Sequence, residues 1–65
     1  MLTILSPSGS LRATLTDHDD GVHVIVRRAL NYAAPGNLLA HGTVDAPWHL
    51  VCDKVTDLLA ELDEL

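Results

Sequence analysis

The sequence predicts an α+β domain: a four-stranded antiparallel meander sheet followed by one C-terminal amphipathic helix packed on one face (ββββα). Three observations predict it. Apolar residues recur at helical spacing over residues 46–64. The stretches before them alternate or run apolar in short segments, about 2–5, 10–17, 22–30 and 38–44. Turn-forming residues separate those segments at Ser6-Pro7-Ser8-Gly9, Asp19-Asp20-Gly21 and Pro35-Gly36. No linker divides the chain, so residues 1–65 form a single small domain.

The first strand, Leu2 to Leu5, is short and apolar. The second alternates, with Leu11, Ala13 and Leu15 on one side and Arg12, Thr14 and Thr16 on the other. An Asp20-Gly21 hairpin turn sets Leu15 opposite Val26 and Leu11 opposite Leu30, with Val24 on the same face. The next hairpin has a parity problem. A simple Pro35-Gly36 turn would send His41 and Thr43 into the core. An offset of one residue within 31–37 puts Leu38, Ala40, Gly42 and Val44 there instead, so a bulge or odd-length loop is expected.

The helix has one apolar stripe: Trp48, Val51, Cys52, Val55, Leu58, Leu59, Leu62 and Leu65. Asp53, Asp57, Glu61 and Glu64 fall on the opposite side, and Leu50 alone breaks the pattern. Asp45 is expected to cap the first turn, with Pro47 costing no helical hydrogen bond. Glu61, Asp63 and Glu64 stand at the end the helix dipole disfavours for anions. The last turn should therefore fray unless a neighbour holds it. The stripe is expected to cover Leu11, Ala13, Leu15, Val24, Val26, Leu30, Ala40 and Val44.

The totals limit the function. The net charge is −5. Residues 1–44 balance Arg12, Arg27 and Arg28 against Asp17, Asp19 and Asp20. Residues 45–65 set only Lys54 against Asp45, Asp53, Asp57, Glu61, Asp63 and Glu64. Such a balance disfavours duplex nucleic acid and anionic membranes as partners, because both are bound through surplus cations. Nor does any segment approach the ~20 apolar residues of a membrane span. The single cysteine, Cys52, lies on the core stripe, and Met1 to Leu5 lacks the form of a signal peptide; a reducing cytoplasm is the expected setting. Apolar residues make up 48% of the chain with no Phe. A domain this short buries only about 60% of its unfolded surface, so this aliphatic excess points to self-association.

The candidate contact is the outer sheet face: Arg12, Thr14, Thr16, His23, Ile25 and Arg27, joined by Thr3, Leu5, Leu39 and His41. It mixes apolar side chains with Arg, Thr and His and has no carboxylate, a composition that suits protein interfaces. The chemistry-bearing motifs are weaker. His49-x-x-Cys52 has ligand-like spacing, but the cysteine belongs to the core stripe while His49 lies about 60° around the helix from it. His18-Asp19-Asp20 reads as turn chemistry. Arg12, Arg27, Arg28 and Tyr32 could suggest a base-stacking sheet, yet the outer face has no aromatic residue. No phosphate loop, dinucleotide fingerprint or nucleophile elbow is present.

In length, acidity and order of elements the chain is similar to MbtH-like proteins, which assist adenylating enzymes by binding them. Their several tryptophans and Ser-Leu-Trp-Pro strand motif have no counterpart around Trp48, so no residue is carried over. The resemblance implies only that such a shape can serve as a docking subunit.

The expectation is a small non-enzymatic interaction or regulatory module. Its partner is protein: a second copy, giving a homodimer through the outer face or an edge strand, and also a larger protein. No catalytic, cofactor or metal site is expected. Two alternatives use other surfaces or ligands. In one, the acidic face Asp53, Asp57, Glu61 and Glu64 acts as a small inhibitor or nucleic-acid mimic. In the other, the sheet weakly binds single-stranded nucleic acid.

Overall fold

The computed structural model describes residues 1–29 and 35–65. Strands β1 (Leu2–Leu5), β2 (Leu11–His18), β3 (Gly21–Ala29) and β4 (Pro35–Val44) form one antiparallel sheet in the order β1-β2-β3-β4. Helix α1 (Trp48–Asp63) follows and packs on one face. The predicted ββββα architecture is the observed one. Leu30 and Tyr32, to which the sequence assigned a core position and a stacking role, lie outside the described residues.

The β1–β2 connection is built from small polar groups. The Gly9 N–H donates to the Ser6 carbonyl at 2.9 Å, closing the turn, and Gly9 itself sits at φ +80°. Ser6 is buried, and its Oγ accepts from the Leu11 N–H at 3.1 Å. The β2–β3 turn is Asp19-Asp20 rather than Asp20-Gly21. His18 pairs with Gly21, Leu15 with Val24 and Ala13 with Val26. The registry thus differs from the expected one by two positions. A slip of two preserves side-chain parity, so both faces keep their expected members.

The β3–β4 offset is also present, with a different location. Val22 to Val26 pair regularly with Val44 to Ala40, which sets Ala40, Gly42 and Val44 on the inner face as expected. The register then shifts between Val26 and Arg27, where Leu39 is skipped, and again between Arg27 and Ala29. The irregularity lies inside the sheet, and its effect is to place Leu38 opposite Arg27 on the outer face. The inner-face assignment of Leu38 is corrected accordingly.

The core consists of Leu11, Ala13 and Leu15 from β2, Val22 and Val26 from β3, and Val51, Val55 and Leu59 from α1. Ile4, Val24, Ala46, Trp48 and Cys52 pack around it, half-buried. Val22 has inner-face parity but was absent from the expected core. Two further expectations are corrected. The N-cap of α1 is Pro47, with no side-chain cap, because the helix starts two residues later than expected and leaves Asp45 out of position. The helix also lies over β1 and β2, not across the whole sheet. Ala40, Val44, Leu58, Leu62 and Leu65 are consequently exposed.

Candidate functional site

Two open surfaces follow from this packing. The first is the outer sheet face, which no other element among the described residues covers. Arg12, Thr14, Thr16 and His23 are half-buried there, and Ile25 and Arg27 are exposed. The register brings all six together across β2 and β3: Arg12 opposite Arg27, Thr14 opposite Ile25, Thr16 opposite His23. Leu38, His41 and Thr43 of β4 border a shallow depression of about 350 Å³ with His23, Ile25 and Arg27. Arg12 and Arg27 are like charges in directly paired positions, a destabilising arrangement in a sheet.

The second surface is on the inner side, and the sequence did not reveal it. Because α1 sits toward β1 and β2, the inner face of β4 is bare. A groove of about 250 Å³ runs between the helix and that strand, lined by Val24, Val26, Ala40, Gly42 and Val44 below and by Val51, Lys54, Val55 and Leu58 on the helix side. Val44 is 43% exposed and Leu58 45%. A Cβ placed on Gly42 would meet nothing within 4 Å. The sequence signal that could have exposed the groove is the width of the helix stripe. Leu58, Leu62 and Leu65 lie on the flank opposite Cys52 and Asp63, beyond what one line of contact can bury.

What holds the helix to one side is a polar tether at its C-terminal end. The Asp63 carboxylate accepts from the Ser8 N–H at 2.7 Å (Oδ2), and from the Ser8 and Ser10 hydroxyls at 2.6 and 2.8 Å (Oδ1). These donors compensate the adverse dipole and fix the last turn against the β1–β2 connection. The Ser8 hydroxyl, then the Ser8 N–H and the Ser10 hydroxyl, hold the Asp63 carboxyl below its ordinary value of 3.8. Folding thus favours the ionised form. The stabilisation is complete above the unfolded value and is lost as pH falls through the lower, folded one. We expect Asp63→Asn to loosen residues 61–65, read as a loss of helical Cα shifts. Wild type should converge on the variant as pH falls through the lowered Asp63 value, and helical shifts over residues 61–65 that are equal in Asp63→Asn and wild type at neutral pH would contradict the tether.

At the other end of the sheet the His18 and His23 rings stack, with centroids 3.9 Å apart and planes 19° from parallel. His23 Nε2 lies 2.9 Å from Asp20 Oδ1, and this hydrogen bond lowers the Asp20 pKa. Both rings belong to the outer face, His23 opposite Thr16 and His18 at the adjoining hairpin end. Turn chemistry at Asp19-Asp20 is present, and the ring stack follows from the β2–β3 registry, which the local sequence does not specify. Among the described residues no group of three His, Cys, Asp or Glu side chains could hold a metal ion. His49 is exposed and Cys52 half-buried.

The acidic residues Asp53, Asp57 and Glu61 of α1 and Glu64 at its C-cap are all exposed. No described helix is long and apolar enough to cross a membrane. Comparison with family models, curated proteins and solved structures finds no significant match to this chain.

Proposed function

We propose that this chain is a non-enzymatic protein-interaction module that self-associates by antiparallel pairing of β4 with β4 of a second copy. The observation that carries this reading is the character of that edge. β4 is ten residues long, PGNLLAHGTV, without a single Lys, Arg, Asp or Glu. Among the described residues it ends the sheet and pairs with β3 alone. Edge strands of soluble proteins are ordinarily kept short or guarded by charge, because their free N–H and C=O groups recruit other strands. Here the bulge near Leu39 disturbs one part of the edge, while Ala40 to Val44 keeps a regular ladder. Two such edges related by a two-fold axis are self-complementary.

The outer face is less suited to pairing with itself. Stacking two copies would bring two Arg12–Arg27 doublets together, and like charges across an interface oppose association. Edge pairing separates charge, since β4 is neutral and the carboxylates of α1 stand on the helix side turned from the sheet.

The test places charge on the edge. His41 and Thr43 are exposed and on the outer side, opposite Ile25 and His23. The variant His41→Lys with Thr43→Lys is expected to keep the monomer's stability within about 0.5 kcal/mol. It should raise the dimer dissociation constant at least ~10-fold, the equivalent of about 1.4 kcal/mol. Association undiminished by the two lysines would overturn β4 pairing.

A further inference from the structure

We infer that the groove between α1 and β4 binds the anion of a single-chain fatty acid of medium length. The hydrocarbon chain lies on the apolar floor and the carboxylate meets Lys54. The site is complete within one copy, so the inference goes beyond β4 pairing and does not rest on it.

The lining selects a hydrocarbon chain. The floor includes Val26, Ala40 and Val44, and the wall is Val51, Val55 and Leu58 of α1. Gly42 lies in that floor, and a Cβ on it would meet nothing within 4 Å, so a ligand can approach the β4 backbone there. The surface exposed inside the groove is almost wholly apolar. An extended peptide would bring N–H and C=O groups to side chains that offer them no partner, at a cost in lost hydration. A saturated chain brings no such groups.

Size narrows the class. The groove of about 250 Å³ is smaller than the roughly 300–1,000 Å³ of sites for drug-sized ligands, which suits one acyl chain and not a two-chained lipid. Its floor follows the regular ladder from Ala40 to Val44. That stretch spans about 14 Å at the rise of a strand, the reach of decanoate or dodecanoate.

Charge selects the head group. Lys54 is the one permanently charged side chain of the lining. It is exposed and belongs to no ion pair among the described residues. An exposed lysine lays its methylenes along apolar surface and keeps its ammonium in water. The cation therefore stands at the rim, where a carboxylate ending a buried chain would meet it. Asp57 and Glu61 are exposed on the same helix but line no part of the groove. Their repulsion is smallest for a ligand with a single negative charge, which favours a carboxylate over a phosphate dianion.

The probes are octanoate, decanoate and dodecanoate, with decanol and decyltrimethylammonium as head-group controls, all below their micelle concentrations. Titration of the full chain is followed by the methyl resonances of Val26, Val44, Val55 and Leu58. Decanoate is expected to shift them with a Kd below about 1 mM, and affinity should rise about 3-fold per methylene along the series. Decyltrimethylammonium should bind at least ~10-fold more weakly. Lys54→Glu changes one exposed side chain, leaves the fold in place and should reverse that preference. Gly42→Leu fills the floor without a clash and should abolish the shifts in a protein that remains folded. The inference is overturned if decanoate leaves the groove methyls unshifted at about 5 mM. Equal affinity for the three ten-carbon probes would overturn it too, as the mark of an unselective apolar patch. So would methyls of Val51, Val55 and Leu58 that shift on dilution of the protein alone, since that would give the groove to a second copy. A monomeric chain gives the same titration, which keeps a failure here separate from a failure of β4 pairing.

Discussion

Leu15→Ala is expected to leave a chain with no cooperative unfolding transition. Leu15 is fully buried, and its paired neighbours are Leu2 on one side and Val24 on the other. It stands on β2, the strand over which α1 is chiefly seated. Removing a buried leucine side chain costs about 2–5 kcal/mol, through lost transfer energy and the cavity left behind. A single core of this size rarely supplies more than about 3–5 kcal/mol of net stability. The two ranges meet, so the substitution consumes most or all of the folding free energy. Leu62→Ala is the matched control: Leu62 is an apolar residue of the same helix stripe, 39% exposed, and its truncation should cost under about 1 kcal/mol. Urea titration followed by circular dichroism distinguishes them. A Leu15→Ala transition within about 1 kcal/mol of wild type would contradict the position of α1 over β2.

Gly21→Val is expected to have the next largest effect, for a different physical reason. Gly21 opens β3 at φ +131°, a conformation that residues with a Cβ rarely adopt. A Cβ there would also stand 2.7 Å from the Val44 carbonyl oxygen and 3.1 Å from Thr43 Cγ2. Backbone strain of this kind costs about 1–3 kcal/mol, and the clash forces the end of β4 away from β3. Stability and self-association should therefore fall together, whereas the lysines on β4 should remove association alone. Gly9→Ala separates the two contributions. Gly9 also has a positive φ, but a Cβ there meets nothing within 4 Å, so strain alone remains. An unchanged denaturation midpoint for Gly21→Val would refute the close approach of β3 and β4 at that end.

Much of the fold was legible in the sequence because it depends on periodicity. Alternation in Leu11 to Thr16 sets the two faces of β2, and the spacing of Val51, Val55 and Leu59 sets the buried side of α1. Face assignments even survive the two-position difference in the β2–β3 registry, since side chains alternate with period two. Features that depend on a single residue or a distant contact were not legible. One skipped residue, Leu39, turned Leu38 to the outer face. The sideways position of α1 follows from Asp63 meeting Ser8 and Ser10, partners 55 and 53 residues away. A helical stripe states which side of a helix faces the sheet and leaves open which strands lie beneath it. The expectation that α1 covers Ala40 and Val44 failed on that point, and the groove was hidden with it. The six outer-face residues were placed together correctly by alternation, though alternation says nothing of how Arg12 and Arg27 oppose each other.

Self-association through β4 is tested most directly by the mass of the particle in solution. Sedimentation equilibrium of the wild-type chain, alongside His41→Lys with Thr43→Lys, measures it without labels. The prediction is a reversible species of twice the 7.0 kDa chain mass for wild type, with the double variant sedimenting as a 7.0 kDa monomer. A wild-type particle of 7.0 kDa across the whole concentration range would contradict it.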